Sequence, residues 1–225
     1  MSDPKATETS VLSPESVVPR IRLVHPIWRL AKRLIDVVAS GLLLILLAPL
    51  FAVLAILVKL TSPGPVFYRW KVVGEGGRYF TSHKFRSMFV NADEIKERLL
   101  GLNEMKGPVF KMKDDPRITR TGRWMRQYSL DELPQLWSVL KGEMSLVGPR
   151  PPLQNEYEKF TEWQKGKLRV KPGITCLWQI SGRHEIRDFN EWVRLDLEYI
   201  ANWSLCLDLK ILLRTIRAVI SGSGR

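Results

Sequence analysis

An apolar run over residues 37–58 constrains the fold of this chain more than any other feature, because its 22 residues carry no charged side chain. As a straight helix it would measure roughly 33 Å, enough to cross a hydrocarbon core of about 30 Å. Pro49 lies near its middle, where proline removes a backbone hydrogen bond and bends a helix. Each arm would then measure only about 17 Å, so a straight span and a bent helix are both open.

Basic residues flank both ends of this run. Lys59 follows it directly, and five cations precede it with Trp28 among them: Arg20, Arg22, Arg29, Lys32 and Arg33. Such a lead-in is typical of a membrane interface. Because positive charge favours the cytoplasmic side, both ends favour the same side. A re-entrant helix satisfies this, and we expect residues before Arg33 and after Lys59 to lie on one side of the membrane.

The composition limits the classes of binding partner and the kinds of metal ion that we expect. A net charge of +12 suits nucleic acid, an anionic membrane, phosphate-rich substrates or simply a solvated basic surface. Cys176 and Cys206 form no metal-type spacing, and we expect them to be buried thiols in a reducing compartment. His25, His83 and His184 are far apart in sequence, so any metal should be a hard, oxygen-liganded ion such as magnesium.

The segment after the apolar run predicts a β-hairpin. Residues 66–68 and 78–80 read as short strands around the glycine-rich turn at residues 74–77. A phosphate cradle is the alternative for those glycines. No Lys-Ser/Thr pair follows them to complete a P-loop, which favours the hairpin.

The rest of the first half is less regular. Residues 1–19 are rich in Ser, Thr, Pro and Glu and predict a disordered tail. We expect a helix over residues 92–100 and a basic loop over residues 109–121. Asp114 and Asp115 within that loop suit a polar turn, with a metal ligand as the alternative.

Two adjacent carboxylates, Asp131 and Glu132, form the central motif. Residues 129–132 (Ser-Leu-Asp-Glu) match a capping box, in which the Ser129 and Glu132 side chains close the first helical turn. A helix starting at Asp131 instead places Pro134 in the tolerated first turn. In either register the helix dipole keeps Asp131 ionised beside anions. An ionised aspartate can attack phosphorus, so capping and catalysis both remain open.

Several turns combine rigid backbone with a cation. Residues 148–152 (Gly-Pro-Arg-Pro-Pro) present Arg150, whose guanidinium suits bidentate binding of phosphate. Residues 171–175 (Lys-Pro-Gly-Ile-Thr) and 181–183 (Ser-Gly-Arg) repeat this combination. Several such turns in one small domain favour a site for a polyphosphate.

The C-terminal third reads as helices. Trp163, Trp178, Trp192 and Trp203 are interleaved with Lys and Arg, which suits lipid headgroups, stacking on nucleic-acid bases or ordinary core packing. Residues 205–220 are apolar apart from four charges. This helix either lies in the membrane surface or covers the core.

From about Lys32 to its C-terminus, the chain resembles the monotopic phosphoglycosyl transferases of the bacterial sugar transferase family. The resemblance rests on an ordered set of motifs that follow the apolar run: residues 62–66 (Ser-Pro-Gly-Pro-Val), 84–88 (Lys-Phe-Arg-Ser-Met), 129–135 (Ser-Leu-Asp-Glu-Leu-Pro-Gln), 145–151 (Ser-Leu-Val-Gly-Pro-Arg-Pro) and 171–175 (Lys-Pro-Gly-Ile-Thr).

The resemblance implies an α/β fold that is rich in helix, with short strands and interfacial amphipathic helices. Residues 20–60 would form the lead-in and a re-entrant membrane helix bent at Pro49. Residues 61–225 would form a small catalytic domain on the cytoplasmic face of the bacterial inner membrane. One departure is Ala48, since the family commonly pairs serine with this proline, and no hydroxyl is available here to cap a freed carbonyl.

The resemblance also implies the reaction. A sugar 1-phosphate would pass from a UDP-sugar to undecaprenyl phosphate, with release of UMP, at the first membrane step of exopolysaccharide, O-antigen or capsule assembly. Asp131 would be the nucleophile that forms a covalent phosphosugar intermediate. Glu132 would help to hold Mg²⁺ with Asp131 or assist proton transfer.

Family pattern and charge place Arg126, Arg150 and Arg183 around the phosphates, and the resemblance adds Lys84 and Arg86. The expected partners are the two substrates and anionic lipids, without nucleic acid, and a homodimer is allowed. Residues 173–183 look most like members that transfer hexose 1-phosphates, galactose in particular. The alternatives are a non-enzymatic membrane-anchored scaffold or nucleic-acid binder, and a transferase that uses Asp131 only as a metal ligand.

Overall fold

The computed structural model describes residues 25–182 and 185–222. The predicted disordered tail and Arg183 lie outside these residues. Over the described part the fold is rich in helix with short strands, as predicted. The α-helices are α1 Pro26–Leu46, α2 Ala48–Thr61, α3 Ala92–Leu99, α4 Arg120–Gln127, α5 Leu136–Lys141, α6 Gln154–Tyr157, α7 Glu162–Lys165, α8 Phe189–Ala201 and α9 Leu205–Ile220.

The strands form two small sheets. β1 Phe67–Val73 and β2 Tyr79–Phe85 are antiparallel, and β3 Ser145–Val147 and β4 Gly173–Thr175 are parallel. Short 3₁₀ turns connect these elements at Glu75–Gly77, Leu100–Leu102, Leu130–Gln135, Gly166–Arg169 and Trp178–Ile180.

The apolar run bends, as Pro49 predicts. α1 and α2 meet at Leu47 at an angle of 61°. The break lies two residues before Pro49, because proline is tolerated in the first turn of a helix, where its missing N–H has no helical partner. No single helix among the described residues is long and apolar enough to cross a membrane, whereas α1 and α2 together satisfy the length and composition of a span.

In α1, polar side chains face the rest of the fold and apolar side chains face outward, which is the opposite of a surface helix in a soluble protein. Asp36 and Ser40 are buried against the rest of the fold, and the Asp36 carboxylate accepts hydrogen bonds from Ser145 Oγ (3.1 Å) and the Leu146 backbone N–H (3.0 Å). Large apolar side chains at helical spacing are exposed instead: Leu30, Leu34, Val38 and Leu42. An outward apolar face of this extent indicates contact with lipid or with another protein.

Two cations of the predicted interfacial lead-in bind protein groups, which corrects their expected placement. Lys32 Nζ lies 2.6 Å from Asp208 Oδ2 and donates to the Val147 carbonyl at 3.0 Å. Arg33 donates to the carbonyls of Val139 (2.6 Å) and Leu140 (2.8 Å) in the last turn of α5. The negative end of that helix attracts the guanidinium, so both side chains hold α1 to the domain.

The predicted hairpin is confirmed, and its strands are longer than expected. The pairing runs from Phe67 opposite Phe85 to Val73 opposite Tyr79. In β1 the exposed Arg69 and Lys71 alternate with the inward Trp70 and Val72, so these cations form the outer face of the strand. The glycine-rich turn closes the hairpin, with positive φ at Gly76 and Gly77.

The parallel pair β3–β4 explains two of the glycine motifs. The Gly148 N–H donates to the Thr175 carbonyl at 3.0 Å, and the Gly173 N–H donates to the Pro149 carbonyl at 3.0 Å. A Cβ on Gly173 would lie 2.1 Å from Gly148 N, so only glycine allows this approach of the two chains. The contact fixes the loop that carries Arg150.

The C-terminal tryptophans belong to the core. The rings of Trp178 and Trp192 are buried and stacked, 4.0 Å apart and 7° from parallel. Trp163 and Trp203 pack against the same core. The interpretation as a headgroup or base-stacking surface was therefore wrong for Trp178 and Trp192, because burial against α8 outweighs the basic residues around them in sequence.

The cysteines differ from each other. Cys176 is buried, as predicted, and burial raises the pKa of its thiol. Cys206 is exposed, so the prediction was wrong for this residue. It lies in the first turn of α9, on the side of the helix that faces away from the core.

Helix α9 has the predicted bounds and covers the core, which confirms one of its two predicted roles. Its place in the membrane surface stays a prediction. Ile211 is fully buried in the core, with Leu207 and Leu212 packed beside it. The opposite face carries exposed apolar residues at helical spacing: Leu209, Leu213, Ile216 and Ile220.

Helix α3 ends one residue earlier than predicted, and residues 109–119 are free of helix and strand, as expected for the basic loop.

Candidate active site

The two central carboxylates lie on a 3₁₀ helix, Leu130–Gln135, and neither predicted start of an α-helix is correct. The Ser129 side chain makes no capping bond, and Ser129 adopts a left-handed conformation with φ 53°. Ser129 separates α4 from the 3₁₀ helix, and regular α-helix begins only at Leu136, after Pro134. Left-handed backbone is uncommon outside glycine and is often found at functional sites.

The capping box was wrong because the Glu132 carboxylate has another partner. Lys84 Nζ, from the end of β2, lies 2.5 Å from Glu132 Oε1, and Arg150 Nη1 lies 3.6 Å from the same oxygen. A carboxylate with two cations in reach gains more from them than from the N–H of a helix start. Glu132 therefore joins β2, the 3₁₀ helix and the Arg150 loop.

Trp70 supports the same two cations. Lys84 Nζ lies 4.1 Å from the centroid of the indole ring, and the Arg150 guanidinium carbon lies 6.0 Å from it. Both distances suit cation–π attraction, which is strongest for tryptophan. We did not predict Trp70 as a site residue, and no local pattern marks it, because its role depends on β1 packing beside β2.

The environment of Lys84 favours the neutral form of its amine. Burial lowers the pKa of Lys84, and Arg150 lowers it further, while Glu132 and Asp131 act in the opposite direction. The net effect is a pKa below the ordinary value of a lysine. An anionic substrate in the cavity would favour the charged form again, since an opposite charge stabilises it.

Asp131 is buried and lies in the wall of a cavity of about 310 Å³. Arg126, in the last turn of α4, and Arg150 line the same wall. Both arginines also line a second cavity, of about 490 Å³, so the two cavities share part of their walls. A site of this size suits a ligand larger than a single phosphate.

Arg117 also lines both cavities, and we did not predict it as a site residue. Its guanidinium is held in a buried ion pair with Asp115, at 2.6 Å. Despite the opposing effect of burial, the hydrogen bonds from Arg117 lower the pKa of Asp115. Asp115 is thus committed to an arginine rather than to a metal. The close spacing of Asp115 and Arg117 in the sequence was the signal that could have identified the pair.

Arg86 lies at another wall of the first cavity. It is buried, and its guanidinium donates to the carbonyls of Ser62, at 2.8 Å, and Pro63. These bonds hold the segment that leaves α2. Burial lowers the pKa of Arg86. A phosphate contact by Arg86 stays a prediction.

Lys167 adds a cation that we did not predict. It lines the first cavity and forms an almost fully buried ion pair with Asp196 of α8, at 2.6 Å. Burial raises the pKa of Asp196, although Lys167 acts against this shift. No local signal distinguishes Lys167 from the other cations of residues 165–171, because its role comes from burial against α8.

The charge of the first cavity suits an anionic ligand. Its cations outnumber the acidic residues Asp93, Asp131 and Glu156: they are Lys84, Arg86, Lys96, Arg117, Arg126, Arg150 and Lys167. Aromatic side chains complete the lining, among them Tyr68, Trp70 and Phe110. This combination fits a ligand that carries both phosphate groups and a ring.

Comparison with known proteins identifies the family of this chain. The model of the bacterial sugar transferase family matches residues 27–222. The chain belongs to this family. The matched range includes α1, the carboxylate motif and α9. It therefore covers nearly all of the described residues.

Three relatives of this sugar transferase family member are informative. The exopolysaccharide production protein ExoY of Rhizobium meliloti is 40% identical over 224 residues, which cover 98% of this chain and 99% of ExoY. The galactosyl transferase CpsE of Streptococcus agalactiae is 49% identical over 197 residues, and the undecaprenyl-phosphate galactose phosphotransferase of Salmonella typhimurium is 42% identical over 200 residues.

The length of the match differs among these relatives. It covers 87% of this chain but only 43% of CpsE and 42% of the Salmonella protein. The chain therefore spans less than half the length of these two family members and nearly all of ExoY.

The donor groups of this family member fit magnesium only in part. Among the described residues, no group of three or more His, Cys, Asp or Glu side chains could hold a metal. Magnesium commonly takes one or two carboxylates together with substrate phosphates, and Asp131 beside the cavity suits that arrangement. Glu132 fits less well, because Lys84 and Arg150 lie against its carboxylate.

Most of the predicted site residues lie at the first cavity, but they differ in whether they line it. Lys84, Arg126, Asp131 and Arg150 line the first cavity, and Glu132 lies behind them as the partner of two of these cations. Arg86 lines the same cavity while binding the segment after α2. Arg183 lies outside the described residues. The individual roles of these residues stay predictions.

Proposed function

We propose that this chain transfers a sugar 1-phosphate from a UDP-sugar to undecaprenyl phosphate, releasing UMP and forming undecaprenyl-diphosphate-sugar. The observation that carries the proposal is Asp131 in the wall of a cavity lined by an excess of cations. The relatives support the substrate class, since the Salmonella relative is named an undecaprenyl-phosphate galactose phosphotransferase. The product would begin assembly of an exopolysaccharide, O-antigen or capsule.

The first half-reaction uses Asp131 as the nucleophile. A carboxylate oxygen of Asp131 attacks the sugar-bearing phosphorus of the donor, forming a new P–O bond. The bond from this phosphorus to the bridging oxygen breaks, and UMP leaves with the electron pair. An aspartyl phosphosugar remains on the protein, as in other enzymes with a covalent intermediate. No proton needs to move in this step.

The second half-reaction returns the protein to its starting state. A phosphate oxygen of undecaprenyl phosphate attacks the same phosphorus, and the bond to Asp131 breaks. The Asp131 carboxylate is regenerated and the lipid diphosphate sugar leaves. The course is ping-pong, because UMP departs before the acceptor reacts.

Electrostatics explains the cation-rich lining. Two unit charges 4 Å apart repel by about 4 kcal/mol at an effective dielectric of 20, and a diphosphate beside Asp131 adds several such pairs. Arg126 and Arg150 would offset this charge at the reacting phosphorus. Glu132 would hold Lys84 and Arg150 in position, and its proposed contact with the metal is secondary to this role.

Mg²⁺ would be held by Asp131 and the phosphates of the substrate, and it would neutralise charge that develops on the leaving phosphate. The protein side chains provide the remaining positive charge and the orientation. Removal of divalent cations by EDTA should therefore stop UMP release, and added Mg²⁺ should restore it.

We also propose that the transferred sugar is a hexose, and galactose in particular. The experiment is release of UMP from UDP-galactose and UDP-glucose by membranes that carry the full chain, with undecaprenyl phosphate and Mg²⁺. We expect UMP release that requires the acceptor for turnover. Release of UDP instead would contradict the proposal, because it indicates ordinary glycosyl transfer. No release from either donor would refute the hexose assignment.

We also propose that α1 and α2 form a re-entrant helix in the bacterial inner membrane, with the catalytic site at the cytoplasmic face. The outward apolar face of α1, the 61° bend and the basic flanks support this topology. The placement would bring the lipid acceptor and the soluble donor to one side.

Cysteine labelling tests this topology. In a Cys206→Ser background, His25→Cys and Thr61→Cys should react with an impermeant thiol reagent from the same side, because both lie at the open end of the bent pair. Leu46→Cys, which is 72% exposed in the protein, should be shielded by lipid. Labelling of His25→Cys and Thr61→Cys from opposite sides would show a span and refute the re-entrant form.

A further inference from the structure

A separate cavity of about 360 Å³ lies at the junction between the start of α1 and the rest of the fold. Among the described residues, its lining shares no member with either cavity at Asp131. Val147 and Trp203 form part of its wall. The function proposed above does not use this cavity.

The cavity is strongly basic, and its cations come from two separate parts of the chain. The first turns of α1 contribute three and the segment before β4 contributes two: Arg29, Lys32, Arg33, Arg169 and Lys171. Two acidic residues, Asp36 and Glu75, also line it. A cavity with this excess of cations suits an anionic ligand.

Three of these five cations are available to a ligand. Lys32 is paired with Asp208, and Arg33 binds carbonyls of α5. Within the described residues, the side chains of Arg29, Arg169 and Lys171 have no hydrogen bond or ion pair to the protein. Asp36 does not compete for them, because it is buried and accepts bonds from Ser145 and Leu146.

The surroundings indicate the source of the anion. Trp28, Leu30 and Leu34 are exposed on the same turns of α1 that supply Arg29. A tryptophan and apolar side chains beside cations are typical of headgroup depth in a bilayer. Phosphate is the anion that such a cluster of Arg and Lys would bind there.

We propose that this cavity binds the phosphate group of an anionic phospholipid. The phosphate lies between Arg29 of α1 and Arg169 with Lys171 of the segment before β4, and the acyl chains lie along the apolar face of α1. The lipid thereby joins α1 to the segment before β4, in addition to the contacts of Lys32 and Arg33.

The test measures binding through the thermal unfolding midpoint of the purified full chain in a neutral detergent. Dihexanoyl phosphatidylglycerol, dihexanoyl phosphatidylcholine and inorganic phosphate are titrated separately. We expect phosphatidylglycerol to protect the protein at concentrations at least about tenfold lower than the other two ligands. Arg169→Gln/Lys171→Gln should weaken its binding about 25-fold, and Arg29→Gln about fivefold, as each cation near an anionic lipid contributes about a factor of five.

The matched control is Arg98→Gln/Arg194→Gln, which removes the same charge from exposed positions on α3 and α8. It should bind phosphatidylglycerol as the wild type does. An equal loss in this control would overturn the proposal, because the effect would be one of total charge. Equal protection by inorganic phosphate would overturn the lipid as ligand. Arg29→Gln gives an independent test if the double variant does not fold.

Discussion

Asp131→Asn should lower the rate of UMP release by about 10⁴-fold or more, while the free energy of unfolding stays close to that of the wild type. The carboxamide keeps the size of the side chain but cannot form the bond to phosphorus. It also removes the carboxylate that would hold Mg²⁺. The measurement is UMP release with saturating donor and acceptor, together with a thermal unfolding curve.

The matched control for this prediction is Asp188→Asn. Asp188 caps α8 through a hydrogen bond from the Asn190 N–H at 2.8 Å and lines none of the cavities described above. Asparagine caps helices about as well as aspartate, so rate and stability should both be preserved. A rate for Asp131→Asn within tenfold of the wild type would refute the assignment of the nucleophile.

Mass spectrometry after a single turnover with donor alone separates the covalent course from its alternative. A phosphosugar attached to Asp131 is expected in the wild type. If no adduct is found with donor alone and UMP appears only after undecaprenyl phosphate is added, Asp131 acts as a metal ligand in direct transfer. A protein that releases no UMP and is indifferent to Asp131→Asn would instead be a membrane-anchored scaffold.

Lys84→Met should lower the rate by about 100-fold or more and destabilise the fold by about 3 kcal/mol. The substitution leaves the buried Glu132 carboxylate without its nearest cation and removes one positive charge from the cavity. Methionine keeps much of the length of the side chain, so the change is mainly electrostatic. The measurements are UMP release and unfolding in denaturant.

A double variant separates the two effects of Lys84. Lys84→Met/Glu132→Gln should recover much of the lost stability, because the uncompensated carboxylate is gone, but none of the activity. Lys141→Met is the control, since its ion pair with Glu143 is partly exposed and should be worth less than about 1 kcal/mol. Unchanged stability in Lys84→Met would contradict the structural role of the pair.

The elements that could be predicted depend on local sequence. Pro49 interrupts the apolar run because a proline in the interior of a helix would remove a hydrogen bond, so a new helix begins at Ala48 with Pro49 in its first turn. The glycine-rich turn between two strand-forming segments predicts the hairpin, and the apolar spacing in residues 205–220 predicts α9. The order of the motifs identified the family before any side-chain contact was visible.

The predictions were wrong where a residue of a local motif binds a partner that is distant in sequence. Ser129 and Glu132 match a capping box, yet Lys84, 48 residues away, takes the Glu132 carboxylate. Lys32 and Arg33 match an interfacial lead-in, yet Lys32 binds Asp208, 176 residues away. A charge-assisted bond in a buried site outweighs a local contact at the surface.

The sequence by itself thus determined the family, the hairpin and the interruption of the apolar run near Pro49, and it singled out the carboxylate pair of the candidate site. The tertiary structure decided which cations surround Asp131, that Trp70 supports Lys84 and Arg150, and that a second basic cavity forms beside α1. The physical reason is the range of the interactions. Helix bends and turns follow from neighbouring residues, whereas ion pairs, ring contacts and cavities depend on which distant surfaces meet when the chain folds.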